Sequence, residues 1–241
     1  MPRRRIKPTY IAAHIRRVLK DGGSAPHAEE VQRFFKEEIK SRGWYTGELR
    51  KVAVRFRRTI VKELGLPFLL KVGDQLFNGQ CLEEKTFTVL MLEKVVTQLD
   101  DPEFRLFESW LSRISNWADH DGLVHYLIAP MIVMKPARAK CVFRWAKSRD
   151  RWHRRAACVA LIQGTRRKMF LAEIKRLSNA LLLDDDDMVQ KGLGWLLRET
   201  AKANPSRTIP YLLSIRNRAP RLVLRTACET LPPATQLRVL A

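Results

Sequence analysis

Apolar residues recur along this chain at helical rather than strand spacing. In the stretch Val31-Gln32-Arg33-Phe34-Phe35-Lys36-Glu37-Glu38-Ile39 they fall at i, i+3, i+4 and i+8, one stripe of a helix. Alternating β-branched runs are scarce, and Asn78-Gly79 sits between two segments that themselves read as helices. Glycine and proline punctuate the pattern at Gly22-Gly23, Gly65-Leu66-Pro67, Pro136, Pro205, Pro210, Pro220 and Pro232-Pro233. The segments between them run to roughly 10–18 residues, which predicts an all-α chain of about ten to twelve helices.

Three of these segments repeat one another. Trp152, Arg155, Ala156 and Leu161 occupy the same frame as Met188, Lys191, Gly192 and Leu197, and again as Leu222, Arg225, Thr226 and Leu231. The frame is an apolar residue, a basic residue three positions on, small residues, and a leucine nine positions after the start. The basic residues are 36 and 34 positions apart. A period of that size with small residues at fixed places predicts stacked helical hairpins of the HEAT type. Such a solenoid curves, and a concave face lined by one basic residue per repeat would suit a rod-shaped polyanion. The expected organisation is one repeat domain over residues 1–241, with 1–27 set apart as a mobile basic segment.

Composition narrows the partner. Of 241 residues, 45 are Lys or Arg and 25 are Asp or Glu, a net charge of +20, with 46% hydrophobic residues. The charge is blocked: residues 1–58 carry 16 basic and 6 acidic side chains, 59–135 carry 7 and 11, and 136–241 carry 22 and 8. Two cationic blocks around an acidic middle point to a polyanion such as nucleic acid. No apolar run reaches the length of a membrane span, since the longest, Tyr126 to Met134, contains Pro130. The basic start Met1-Pro2-Arg3-Arg4-Arg5 is followed by no apolar core, so no secretory signal is expected. The four cysteines (Cys81, Cys141, Cys158, Cys228) form no CxxC pair, which predicts neither zinc ribbon nor disulfide framework and fits a reducing cytoplasm.

Two constellations could carry chemistry. Lys191, Trp195, Arg198 and Lys202 lie at i, i+4, i+7 and i+11, one helical face, while Leu193, Leu196, Leu197 and Thr200 turn towards the core. An indole among three cations suits a sugar–phosphate backbone, although it could equally pack on lysine and arginine stems. In Ser115-Asn116-Trp117-Ala118-Asp119-His120-Asp121, the indole of Trp117 and the carboxylate of Asp121 share a helix face. That carboxylate could stabilise a developing positive charge; alternatively Asp119 or Asp121 caps a helix starting near Gly122. The run Asp184-Asp185-Asp186-Asp187 precedes a helix and reads as a cap, not a metal site. Motifs for dinucleotides, P-loops, hydrolase elbows and zincins are absent.

The stretch Gln190-Lys191-Gly192-Leu193-Gly194-Trp195-Leu196-Leu197-Arg198-Glu199-Thr200-Ala201-Lys202 resembles the Q-K-x-x-G-W-x-L-R-E-x-A-K signature of AlkD-type DNA alkylation repair enzymes. Trp117-x-x-x-Asp121 and Trp152-His153-Arg154-Arg155-Ala156-Ala157 resemble two further blocks of that family, in the same order. The resemblance implies a curved stack of HEAT-like hairpins and a DNA glycosylase for N3- and N7-alkylated purines in duplex DNA. Such an enzyme acts in base excision repair, as a monomer, without metal or cofactor and without base flipping. It implies catalytic roles for Trp117, Asp121 and Trp195 and DNA contacts by Arg155, Lys191, Arg198 and Lys202, in a cytoplasmic, nucleoid-associated protein. Asn116, Ala118 and Gln163 depart from the pattern; Gln163 stands where a basic phosphate contact is expected, with Arg166 and Arg167 close behind. The competing expectation is a non-catalytic HEAT-repeat scaffold for nucleic acid or an acidic protein.

Overall fold

The computed structural model describes residues 6–241; the basic start at residues 1–5 lies outside the described residues. In chain order the helices are α1 (Pro8–Asp21), α2 (Ala25–Gln32), α3 (Thr46–Leu64), α4 (Leu66–Phe77), α5 (Leu82–Leu92), α6 (Asp101–Trp110), α7 (Trp117–Leu123) and α8 (Ala129–Met134). They continue as α9 (Cys141–Trp145), α10 (Arg151–Val159), α11 (Ile162–Thr165), α12 (Leu171–Leu181), α13 (Asp187–Ala203), α14 (Pro205–Ile215), α15 (Arg221–Cys228) and α16 (Pro233–Leu240). The described residues are therefore all-α, with an isolated bridge from Lys40 to Cys81 in place of any strand. The helices are more numerous and shorter than the apolar pattern implies, because prolines start α4, α6, α8, α14 and α16 within what would otherwise be longer runs. Among the described residues no helix is long and apolar enough to cross a membrane.

The chain groups into two compact units, residues 6–99 with 113–122, and residues 100–112 with 123–241. In the first, α1 packs on α4 and buries Ala12, Ile15 and Leu19 completely. The expected mobile basic segment over 1–27 thus does not extend through 8–21, where an amphipathic stripe has a core to cover. Helix α5 lies against α1, α3 and α4 and is buried almost throughout. The helix expected over Val31–Ile39 stops at Gln32. Beyond it, Gln32 itself organises the turn, donating from Nε2 to Glu37 O (2.9 Å) and accepting from Ile39 N (3.0 Å). The following segment is pinned by the buried carboxylate of Glu83, which accepts from Ser41 Oγ (2.8 Å), Arg42 N (2.9 Å), Gly43 N (2.9 Å) and Cys81 Sγ (3.0 Å). Burial works against that charge, but these donors outweigh it and hold Glu83 below its ordinary pKa. Gly43 sits there at φ +71°, where a Cβ would meet Ser24 O at 1.9 Å.

In the second unit, α10, α13 and α15 form a side-by-side layer, with α12, α14 and α16 lying against it. These three layer helices are the three repeating segments, so the repeat is a packing repeat. The glycines set the spacing: a Cβ at Gly194 would come within 2.5 Å of Thr226 Cβ on α15, and one at Gly192 within 3.1 Å of Arg155 Cγ on α10.

Candidate active site

The first unit supplies Trp117 and Asp121, four residues apart on α7. Helix α7 begins at Trp117, before the Gly122 start considered above, and it is Asn116 that caps it, Oδ1 accepting from Asp119 N at 2.9 Å. Neither aspartate is a cap. Asp119 turns inward and meets Lys85 of α5, Nζ to Oδ2 at 2.8 Å, with Asn116 Nδ2 (3.0 Å) and Ser115 Oγ (3.2 Å) on the same oxygen. Lys85 Nζ also donates to Arg113 O (2.7 Å), so it ties down both the approach to α7 and its first turn. Burial raises the Asp119 pKa, with Lys85 and Ser115 working in the opposite direction.

Asp121 faces away from that buried knot and keeps a partly exposed carboxylate, 22% accessible. Its Oδ1 lies 2.7 Å from Nδ1 of the fully buried His120. A carboxylate only accepts, so the imidazole is the donor and fixes the carboxylate's orientation. Trp117 is half-buried. Phe35 stacks on its indole, centroids 5.0 Å apart and planes within 15°, and its Nε1 donates to Phe34 O at 3.4 Å. Together with His27, Val31 and Trp44 these rings line a cavity of about 200 Å³. The aromatic wall comes from the segment whose helix stops at Gln32, which is why periodicity alone missed it.

The second unit supplies the other candidates. On α13, Leu193, Leu196, Leu197 and Thr200 are buried as the spacing predicts, while Lys191, Trp195, Arg198 and Lys202 share the accessible side. Each of the three cations already meets a carboxylate. Lys191 pairs with Asp187 (3.2 Å), Lys202 with Glu199 (2.8 Å), and Arg198 with Glu199 (3.2 Å) and Glu229. Burial opposes ionisation of Glu199, but Lys202 and Arg198 more than compensate and keep its pKa low. Arg155, expected to contact DNA directly, is only 6% exposed and donates from Nη1 to Met188 O at 2.7 Å. The missing side chain at Gly192 lets it collapse onto α13, so it joins α10 to α13 instead of presenting its guanidinium. The basic positions of the repeat are therefore not equivalent: Arg155 is buried, Lys191 half-exposed and Arg225 exposed.

Trp195 carries a partner that sequence reading did not anticipate. His125 stacks on its indole at 5.5 Å between centroids, with planes 28° apart. His125 belongs to a π-helical turn, Val124–Ile128, that runs into α8. In that register Ala129 N bonds Val124 O, leaving His125 O opposite Pro130, which has no N–H. Gln163 Nε2 donates to His125 O and replaces the missing bond. Gln163 is therefore committed to the backbone, which accounts for its departure from a basic contact. The acidic run behaves as a cap: Asp186 Oδ1 accepts from Met188 N (2.8 Å) and Val189 N (3.3 Å), and Asp184 binds Arg154 (2.6 Å). Among the described residues no group of three His, Cys, Asp or Glu side chains could hold a metal ion.

No curated protein sequence matches the chain. Its fold is similar to that of a protein from Enterococcus faecalis described as a predicted DNA alkylation repair enzyme, with a TM-score of 0.78 and 14% identity, covering 88% of this chain and 97% of that one. It is also similar to smu.31 from Streptococcus mutans, with a TM-score of 0.57 and 18% identity over 78% of this chain and 98% of that one. The family described as DNA alkylation repair enzyme matches residues 15–231, which takes in α7, α10 and α13 with all the candidate residues. The chain belongs to the DNA alkylation repair enzyme family.

Proposed function

We propose that the protein is a DNA glycosylase that hydrolyses the N-glycosidic bond of N3- and N7-alkylated purines in duplex DNA, leaving free base and an abasic site. The observation that carries this reading is the pair on α7: a partly exposed Asp121 carboxylate, aligned by buried His120, one turn from the Trp117 indole. Alkylation at either ring nitrogen makes the purine cationic and already a good leaving group, so no general acid is required. The barrier lies in the oxocarbenium-like deoxyribose. Asp121 stabilises that charge and orients the attacking water, and the Trp117 indole packs on the sugar, its π face favouring a cation; Trp195 offers the DNA a second indole of the same kind. None of these steps extrudes the base from the stack.

Lys191, Arg198 and Lys202 contact the phosphate backbone in this reading, Lys191 and Arg198 exchanging the accessible carboxylates of Asp187 and Glu229 for phosphates while the half-buried Glu199 stays with Arg198 and Lys202. That exchange costs little, because exposed ion pairs contribute about 0–1 kcal/mol. Arg155 acts as a positioning residue through α13. Monomeric action in the cytoplasm, associated with the nucleoid, completes the proposal. The test is incubation with duplex DNA containing N7-methylguanine, scoring free base. Asp121→Asn keeps the shape and removes the charge, so DNA binding survives while release falls on the order of 100-fold. Full release by a stable Asp121→Asn protein would leave a non-catalytic DNA-binding scaffold as the better account.

A further inference from the structure

A second cavity borders α13 on the side away from Trp195. A cavity of about 750 Å³ opens between α12 and α14, floored by Leu197 and Thr200 of α13. Those residues stand two and five positions after Trp195, on the far side of the helix. Its size is that of a small-molecule site. Ile174, Pro210 and Ile215 make part of its wall apolar, and Lys175, Arg207 and Arg218 bring three positive charges to it; no carboxylate lines it.

Three observations set this cavity apart from an ordinary cleft between helices. First, Lys175, Arg207 and Arg218 have no ion-pair partner among the described residues, whereas Lys191, Arg198 and Lys202 on the opposite side are all paired. Second, Ser178 is fully buried in the wall, its hydroxyl beside the Tyr211 phenol, which donates to Asn179 Oδ1 at 2.9 Å, so three polar side chains line one flank. Third, Pro210 lies inside α14 and has no N–H to give to the carbonyl of Ser206, which also lines the cavity. Uncompensated cations, a buried hydroxyl and a freed carbonyl thus border one partly apolar space.

We propose that this cavity is a binding site for a small organic anion with an apolar body, a carboxylate, sulfonate or phosphate monoester on an aromatic or alicyclic frame. Lys175, Arg207 and Arg218 take the anionic head, Ser178 and the Ser206 carbonyl meet polar groups nearer the body, and Ile174, Pro210 and Ile215 cover the rest. The assignment is independent of the glycosylase reading, since no residue is shared between the two sites.

The experiment is a fluorescence titration of the full-length protein with anilinonaphthalene sulfonate, an aromatic monoanion. One saturable site is expected. Arg207→Gln and Arg218→Gln should each weaken it about tenfold, the loss expected for one charge-assisted contact. Ala172→Trp, which fills the cavity from its rim, should abolish it. Arg207 and Arg218 are exposed, so their substitution leaves the core intact, and circular dichroism of each variant checks the fold. Absence of saturable binding, or binding unchanged in all three folded variants, overturns the proposal. Stoichiometric displacement by undamaged duplex DNA also overturns it, because the cations would then belong to a DNA surface. Inorganic phosphate at matched ionic strength should displace the probe poorly; displacement as easy as by aromatic anions would overturn the apolar body.

Discussion

Replacing Lys85 with methionine should destabilise the protein strongly and in a pH-dependent way. The Lys85 and Asp119 side chains are 4% and 1% exposed, and their charged atoms are 2.8 Å apart. Methionine keeps much of the stem and deletes the charge, leaving Asp119 with only the neutral donors Asn116 and Ser115. Breaking a buried pair in this manner costs about 3–5 kcal/mol. Burial already holds the Asp119 carboxyl above its ordinary pKa, and without Lys85 it rises further. A carboxyl raised in the folded state stabilises that state below its unfolded pKa, and the contribution is lost as pH rises through the folded value. The deficit of Lys85→Met should therefore be larger at pH 7 than at pH 5, changing by up to about 1.4 kcal/mol per pH unit while Asp119 titrates. Urea melts of both proteins across that range measure it. A loss under about 1 kcal/mol, or one independent of pH, would refute the claim that the pair is buried and mutually dependent. Adding Asp119→Leu to Lys85→Met removes the stranded charge and should return much of the stability.

Gly194→Ala should destabilise by about 1–2 kcal/mol in thermal melts, because overpacking against Thr226 exceeds the roughly 1 kcal/mol that alanine gains in a helix; Gly192→Ala, whose Cβ would meet the Arg155 stem at 3.1 Å rather than 2.5 Å, should cost less than Gly194→Ala. Arg198→Ala and Lys202→Ala should each weaken damaged and undamaged duplex DNA alike and reduce the log–log salt slope by roughly one, whereas Glu229→Gln, which removes one of the two carboxylates on Arg198 and leaves Glu199, should tighten binding a few-fold at low salt; no change in any of the three would remove α13 from the interface. Gln163→Leu should cost about 1–3 kcal/mol by stranding the His125 carbonyl and should lower base release through the ring stacked on Trp195; unaltered stability would show that carbonyl to be satisfied elsewhere.

What the sequence made legible follows a physical division. The α13 face was readable because its leucines and cations obey one helical period and the helix is long enough to express it. The packing of α10, α13 and α15 was readable because close approach demands small residues, and Gly192 and Gly194 stand where Arg155 and Thr226 meet them. The burial of Arg155 was not readable: it depends on a glycine in another helix and on a carbonyl at Met188, both non-local. The stop at Gln32 was hidden for the same reason, since the apolar stripe continues to Ile39 while Glu83, more than 40 positions away, collects the N–H groups of Arg42 and Gly43. His125 and Gln163 depend on a π-turn beside Pro130, a register that hydrophobic spacing does not encode.

The buried charges of α5 bear on how the candidate active site keeps its geometry. Glu83, Glu84 and Lys85 are consecutive, so their side chains leave the helix in three directions. Each finds a partner in a different element: the 41–43 segment for Glu83, Arg16 of α1 for Glu84 at 2.8 Å, and Asp119 of α7 for Lys85. Apolar residues could fill the same volume with little loss of stability, because desolvation cancels most of what a buried pair gains. What apolar packing cannot supply is direction. A charged contact with two or three further hydrogen bonds on one oxygen tolerates far less rotation of α7 than a leucine in a pocket would. Two of the three partners bear on the candidate site: the 41–43 segment leads into Trp44, which lines the cavity beside Trp117, and Asp119 lies midway between Trp117 and Asp121. The Lys85→Met, Asp119→Leu double variant separates the two contributions, because it should regain stability without regaining base release. Recovery of both together would reduce the pair to a space-filling role.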